Sequence, residues 1–142
     1  MTAVFDTSVV ASAIFWHTST ARRCLIGLAR RKFTVVVTDE IEQEYAATCS
    51  VLRARKPQQD PSGPLAWILS RARRVAPIPL GKPRSRDPKD DIFLAAALAG
   101  GAAYLVTIDR DLLDLGTPFG VAVLTPVEFL RILRDRQDRD EV

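Results

Sequence analysis

The chain has 142 residues, enough for one domain that buries roughly two thirds of its unfolded surface, and its 47% hydrophobic and 26% charged residues exclude a disordered chain. The net charge of +3 and the pI of about 9.2 are a mild indication of a polyanionic partner. One histidine, His17, and two widely spaced cysteines, Cys24 and Cys49, exclude two-histidine nuclease chemistry and an H-E-x-x-H zinc centre, and they favour a reduced cytoplasmic setting without disulfides.

The first half of the chain alternates strands with helices. Two apolar stretches have strand length, "TAVF" at the N-terminus and "FTVVV" (33–37). Four stretches have helical spacing: "TSVVASAIFW", "TSTARRCLIGLARR", the segment from the capping residue Thr38 to about Arg55, and "LAWILSRARR". The segment "KPQQDPSGP" (56–64) is predicted as a loop. The prolines of "VAPIPL" confine that extended piece to a sheet edge or to a place outside the sheet.

The second half continues the alternation after the basic loop "GKPRSRDPK". The helix "DDIFLAAALA" is closed by Gly100-Gly101, and the strands "AAYLVTI" and "VAVLT" follow. Thr125-Pro126 and Glu128 open a last helix with a capping box. We therefore predict one α/β domain over residues 1–134, built on a central parallel sheet with right-handed crossovers, and a solvated tail over residues 135–142.

A run of 17 uncharged residues, Ile92 to Ile108, separates two clusters of aspartates. It is shorter than the roughly 20 residues of a membrane span and is interrupted by the glycine pair, so we interpret it as a helix that returns as a strand. The N-terminus also has no secretory signal. In a parallel sheet this path brings Asp90 and Asp91 to the same carboxyl edge as Asp109, where Asp6 also ends the first strand.

Several carboxylates at one edge predict a metal site. Facing carboxylates raise each other's pKa unless a cation compensates their charge. An all-oxygen set suits Mg²⁺ or Mn²⁺ better than zinc. These ions polarise phosphoryl oxygens and supply hydroxide near neutral pH, so an acidic pocket in a basic chain predicts phosphodiester cleavage. Taken alone, Asp90 is compatible with an ordinary helix cap, and Asp111 and Asp114 with a turn. Asp6 is harder to explain in this way, because an acid at a strand end next to an apolar element is costly unless it is used.

The chain resembles the PIN-domain family, especially the toxin-type (VapC-like) ribonucleases of bacterial toxin–antitoxin modules. Four pieces carry the resemblance, in the order and spacing of the family, between about residues 3 and 130: "VFDTSVV", "TDEIEQEYAATC", "RDPKDDIFLAAALA" and "LVTIDRDLL". The resemblance implies a parallel sheet with helices on both faces. It also implies an endoribonuclease that depends on Mg²⁺ or Mn²⁺ and has three or four acids.

By position, the resemblance assigns the catalytic and metal-binding acids as Asp6, Glu44, Asp91 and Asp109. Thr7 or Ser8, and Thr107, fall at the polar positions beside them. Glu40, Glu42 and Glu44 all lie in the helix that supplies the second acid; helical spacing puts Glu40 and Glu44 on one face, and the family's spacing favours Glu44. Asp111 is a further metal ligand by this interpretation, and Asp87 and Asp90 are auxiliary.

Three basic groups are candidates for binding the RNA backbone, since phosphate contacts bind without reading sequence. They are Arg22, Arg23, Arg30, Arg31 and Lys32; Arg71, Arg73 and Arg74; and Lys82, Arg84, Arg86 and Lys89. The resemblance further implies a homodimer and a cognate antitoxin that presents a basic side chain to the acids. Phe15 and Trp16, in the apolar stretch 8–16, are candidate anchors for such a partner or for filling the core.

Two other functional classes remain open from the residues. One is a Mg²⁺-dependent phosphoaspartate or receiver-like domain, although Asp6 is followed by Thr7 and Ser8 and not by the D-x-D that haloacid-type phosphatases need. The other is a non-catalytic PIN-like module that binds RNA or protein, although the acids are intact.

Overall fold

The computed structural model describes residues 1–85 and 87–140. Within these ranges five strands form a sheet: Thr2–Phe5 (β1), Thr34–Val37 (β2), Arg73–Arg74 (β3), Tyr104–Val106 (β4) and Ala122–Leu124 (β5). All neighbouring strands are parallel and the order is β3-β2-β1-β4-β5. The chain therefore leaves the central strand β1 in one direction and returns on its other side at β4. This reversal places a topological switch point between the carboxyl ends of β1 and β4.

Over the same residues seven helices connect these strands, and all but the short helix Arg110–Leu113 between β4 and β5 were predicted. They are Thr7–Phe15 (α1), Thr20–Ala29 (α2), Asp39–Arg55 (α3), Ser62–Arg71 (α4), Asp91–Gly100 (α5), Arg110–Leu113 (α6) and Pro126–Asp140 (α7). Three predicted helix termini are confirmed. The Thr38 hydroxyl caps α3 by accepting from the main-chain N–H of Ile41, and Gly101 ends α5 in the left-handed region at φ 64°. The capping box of α7 forms between Thr125 and Glu128.

Several predicted boundaries are wrong. Helix α4 begins at Ser62, inside the predicted loop, because Pro64 lies in the first helical turn, where a missing N–H costs nothing. The same helix ends at Arg71, and Arg73–Arg74 instead pair with β2 as an edge strand. Helix α7 ends at Asp140, and its residues 135–140 are exposed. The final two residues of the predicted tail lie outside the described residues.

The core lies on both faces of the sheet around β1. Ala3, Val4 and Phe5 are fully buried, and Phe33 and Phe129 meet edge to face with ring centroids 4.9 Å apart. Helix α5 packs closely on the sheet at Gly100, where an added Cβ would lie 2.8 Å from the γ carbons of Val36. Both cysteines are buried and free.

The uncharged run folds as a helix, a glycine turn and a strand, as predicted. In the described part of the chain no helix is long and apolar enough to cross a membrane. The two candidate anchors differ: Phe15 is buried and fills the core, which is the second of the two alternatives given for it, whereas Trp16 remains 45% exposed.

Candidate active site

Asp6 is held at the carboxyl end of β1 by three donors. It caps α1, and one carboxylate oxygen accepts from the Ser8 hydroxyl at 2.6 Å and from the main-chain N–H of Val9 at 3.1 Å. The other oxygen accepts from the Thr107 hydroxyl. Burial raises the pKa of Asp6; the hydrogen bonds from Ser8, Thr107 and Val9 oppose this rise, and the charge of Asp109 adds to it. The fold thus holds a buried carboxylate that it only partly compensates.

Thr107 links the ends of the two central strands. It is fully buried directly after β4, and its hydroxyl oxygen also accepts from the main-chain N–H of Asp109 at 2.9 Å. Asp109 in turn caps α6 by accepting from the main-chain N–H of Asp111 at 2.9 Å. The chain of contacts Ser8–Asp6–Thr107–Asp109 therefore crosses the switch point and fixes two of the predicted acids beside each other.

Asp90 and Asp91 begin α5 but have different surroundings. The pKa of Asp90 is raised to about 6, first by partial burial and then by the charges of Asp109, Asp87, Asp6 and Asp111. The pKa of Asp90 therefore depends on the charges of the carboxylates at the switch point. Asp90 was predicted as an auxiliary acid and Asp91 as a catalytic acid. In the structure it is the pKa of Asp90 that the charges of the other carboxylates raise.

Asp91 holds the basic loop. Its two carboxylate oxygens accept from the main-chain N–H groups of Arg84 at 3.0 Å and Ser85 at 2.7 Å. Partial burial acts to raise the pKa of Asp91, but the contacts with Ser85 and Arg84 outweigh it and lower the pKa. Its side chain also lines a cavity of about 410 Å³ together with Thr38, Glu40 and the loop 77–83. In this arrangement Asp91 fixes the loop beside the site.

Two of the candidate glutamates of α3, Glu42 and Glu44, differ in their contacts. Glu42 forms an ion pair with Arg74 of β3 at 3.2 Å, and Asp39 pairs with the same guanidinium at 2.7 Å. Glu44 has no ion pair within the described ranges. Its neighbour Tyr45 is fully buried and donates its hydroxyl to the carbonyl oxygen of Phe5, directly before Asp6. Glu42 is thus engaged at the sheet edge, while Glu44 stays available as the predicted second acid.

Many of the basic side chains have structural contacts. Arg22 donates to the carbonyl of Ala13 at 3.1 Å, Arg73 to that of Gly100 at 2.7 Å, and Arg74 pairs with α3 as above. In the third group, Lys82, Arg84 and Lys89 are exposed and lie close to Asp91 in the chain. The Arg84 guanidinium also donates to the carbonyl of Leu80 at 3.4 Å. Arg86, also predicted in that group, lies outside the described residues. The basic loop thus carries the exposed cations that flank the acids.

The donor set fits a hard divalent cation in chemistry, but its side chains are held by hydrogen bonds. Among the residues that the structure describes, no group of three acidic, histidine or cysteine side chains stands ready to hold a metal ion. Asp6 and Asp91 each accept hydrogen bonds on both carboxylate oxygens, which fixes the orientation of these side chains, and these bonds leave each carboxylate a lone pair that could bind a cation. All the candidate ligands are carboxylates, the type that Mg²⁺ and Mn²⁺ prefer.

The fold and site together define a class: a parallel α/β domain with carboxylates at the switch point of its sheet. The PIN domain family model matches residues 2–111, and the chain belongs to the PIN domain family. The resemblance drawn from the sequence is confirmed at the level of the family. No curated protein matches the sequence.

Two solved structures are similar to the chain in fold. One is the VapBC2 complex from Rickettsia felis bound to a DNA fragment from its promoter, of which a chain shares 17% sequence identity with a TM-score of 0.61; the match covers 88% of this chain and 98% of that chain. The other is PAE2754 from Pyrobaculum aerophilum, with 19% identity, a TM-score of 0.58, and 95% and 99% of the two chains covered.

We predict that Asp90→Asn stabilises the metal-free protein in a pH-dependent way. A carboxyl with a pKa of about 6 in the folded state and about 3.9 when unfolded stabilises the fold below pH 4, and this contribution is lost as pH rises through 6. In EDTA at pH 8 the variant should therefore melt a few degrees above wild type, on the order of 2–4 °C, and the gap should close towards pH 4.

Thermal unfolding across this pH range measures the effect. Asp135→Asn removes the same charge from an exposed position on α7 and serves as the matched control. A gap that is equal at pH 4 and pH 8, or that appears in the control, contradicts the assigned environment of Asp90.

Proposed function

We propose that the chain is a metal-dependent endoribonuclease that hydrolyses RNA phosphodiester bonds, and that it is the toxin of a cytoplasmic toxin–antitoxin pair. The observation that carries the proposal is the concentration of carboxylate charge at the switch point. Asp6 is buried within a hydrogen-bond network, and the pKa of Asp90 is raised by burial and by four neighbouring carboxylates. Such charge is costly without a cation, and membership of the PIN domain family supports a nuclease.

The residues that would hold Mg²⁺ or Mn²⁺ are Asp6, Glu44, Asp91, Asp109 and Asp111. Bound there, the ion supplies hydroxide near neutral pH and polarises the phosphoryl group. Within the chain, the hydroxyls of Ser8 and Thr107 fix the orientation of Asp6. If Asp91 shares in binding, one carboxylate would hold both the ion and the N–H donors of the loop, so ion binding and loop position are coupled in this proposal.

The exposed cations of the loop would bind the RNA backbone. Lys82, Arg84 and Lys89 flank the acids, while many of the other basic side chains are engaged in structural contacts. Contacts of this kind attach phosphates without reading bases, which suits a substrate cut at its backbone.

The toxin role rests on the similarity in fold to a chain of the Rickettsia felis VapBC2 complex. A partner that restrains an acidic site gains most from an arginine, since a bidentate guanidinium–carboxylate pair is among the stronger polar contacts. We propose a cognate antitoxin of this kind, and a homodimer as the working assembly.

A non-catalytic PIN-like module is the second candidate function. It is favoured by one observation, that Asp91 uses both oxygens to hold main-chain N–H groups of the loop. A receiver-like domain, in contrast, gains no support, because the family match points to PIN domains.

Expression in a bacterial host tests the toxin role. We expect strong expression of the chain to arrest growth, Asp6→Asn to abolish the arrest, and co-expression of a small protein encoded next to the chain to relieve it. Unimpaired growth with soluble wild-type protein that cleaves RNA after purification would contradict the toxin role and leave the nuclease.

A further inference from the structure

Neither the local backbone conformation nor packing in the core accounts for a phenylalanine at position 119. It lies in the turn before β5 with φ 53° and ψ 28°, in the left-handed region where a bulky residue is strained by roughly 1 kcal/mol or more. Arg31, the other non-glycine residue at positive φ in the described ranges, lies just after α2, where helices often end in this way. Phe119 is also 53% exposed, so its ring contributes little to the core.

The side chain of Arg84, from the loop beside the acids, stacks on the ring of Phe119. The guanidinium carbon of Arg84 lies 4.8 Å from the ring centroid, within the range of a cation–π contact. The main-chain N–H of the same Arg84 donates to Asp91 at 3.0 Å. The pair is therefore linked, through the main chain of Arg84, to a predicted catalytic acid, although residues 84 and 119 are far apart in sequence.

We propose that Phe119 and Arg84 form a stacking platform for an unpaired base of single-stranded RNA next to the cleavage site. The inference rests on the proposed function and adds to it two residues that would position the substrate beside the acids. Unstacked bases are commonly held on aromatic rings and on arginine planes, and each such contact contributes about 1–3 kcal/mol.

The charge around the platform favours RNA over an apolar peptide. Lys82 and Lys89 are exposed two and five residues from Arg84 in the chain, so the segment that carries the platform also carries cations that attract phosphates. The aromatic ring can stack on a nucleotide base, and the neighbouring guanidinium can contact the phosphate that adjoins this base. In a double helix the bases are already paired and stacked, so the platform would distinguish single strands from duplexes.

Binding of a short fluorescein-labelled single-stranded RNA in EDTA, measured by anisotropy in an Asp6→Asn background, tests the platform without cleavage. We expect Phe119→Gly to weaken binding about 5- to 150-fold, the equivalent of the stacking contribution. Phe119→Tyr, which keeps the ring, should bind within about twofold of the parent. Val127→Ala, at a 52% exposed apolar residue of α7, is the matched control and should change nothing.

Two further measurements separate a binding role from a structural one. Phe119→Gly relieves the backbone strain, so its thermal midpoint should equal or exceed that of the parent while its RNA affinity falls. Arg84→Lys keeps the charge but loses the planar face, so it should weaken single-strand binding without changing the salt dependence. Binding of the duplex form of the same RNA should not respond to Phe119→Gly.

Equal affinity of Phe119→Gly and its parent for the single strand overturns the platform, and the pair would then be assigned to a protein contact. Parallel losses of thermal stability and of affinity for both single strand and duplex overturn it too, because they indicate a structural role. These outcomes are independent of catalysis. A wild-type chain that cleaves no RNA with Mg²⁺ or Mn²⁺ contradicts the proposed function, whatever the binding result.

Discussion

We expect Asp6→Asn to lower the rate of RNA cleavage on the order of 10²–10⁴-fold while the protein stays folded. This is the largest effect that we expect, because the charge of Asp6 would be lost from the centre of the acidic site while the shape of the side chain is kept. Burial already raises the pKa of this carboxyl, so removing its charge also removes a cost to the folded state. In EDTA the thermal midpoint of the variant should therefore match or exceed that of wild type.

The hydrogen bonds around position 6 explain why the variant should fold. The asparagine carbonyl can replace the oxygen that accepts from Ser8 and Val9, and the Thr107 hydroxyl can rotate to accept from the new amide. Cleavage rate and thermal midpoint are measured on the same preparation, with the exposed Asp135→Asn as control. Full activity, or an unfolded variant, would mean that Asp6 is structural.

Glu44→Gln should also suppress cleavage strongly, on the order of 10²-fold or more, whereas Glu42→Gln should leave it nearly unchanged. The difference follows from their surroundings: Glu42 is paired with Arg74 at the edge of the sheet, and Glu44 has no ion pair within the described ranges. Glu42→Gln should cost at most about 1 kcal/mol of stability, since its ion pair is exposed.

Rates of cleavage under saturating Mg²⁺ distinguish the two glutamates. Arg74→Ala is a useful companion, because it breaks the same ion pair from the other side and should behave like Glu42→Gln. The reverse pattern, with Glu42→Gln inactive and Glu44→Gln active, would move the second acid to Glu42.

The position of the candidate site could be predicted from the sequence, because it depends on the hydrophobic periodicity of the elements and on their order in the sheet. A strand-length apolar run before Asp6, and a helix-turn-strand excursion between Asp91 and Asp109, define one edge of a parallel sheet without any side-chain detail. The structure confirms that edge and adds the bridge through Thr107, whose role depends on a contact across 101 positions of sequence.

Other features of the fold and the candidate site could not be predicted, because they depend on the directions of side chains and on contacts between distant parts of the sequence. Adjacent residues at a helix start point about 100° apart, so the sequence could not tell that Asp90 senses Asp6 and Asp109 while Asp91 holds the loop. Strand β3 has only two residues and exists because it pairs with β2. The stacking of Arg84 on Phe119 likewise joins two turns that are distant in sequence.

Cleavage of a labelled single-stranded RNA by the purified chain, with Mn²⁺ or Mg²⁺ and with EDTA, tests the central claim most directly. Asp6→Asn, purified in the same way, controls for contaminating nucleases. The account predicts cleavage that requires the divalent ion, stops in EDTA and is lost in the variant. Cleavage that survives thorough chelation, or that Asp6→Asn retains in full, contradicts the account, as does RNA that stays intact when the folded wild-type protein is given either ion.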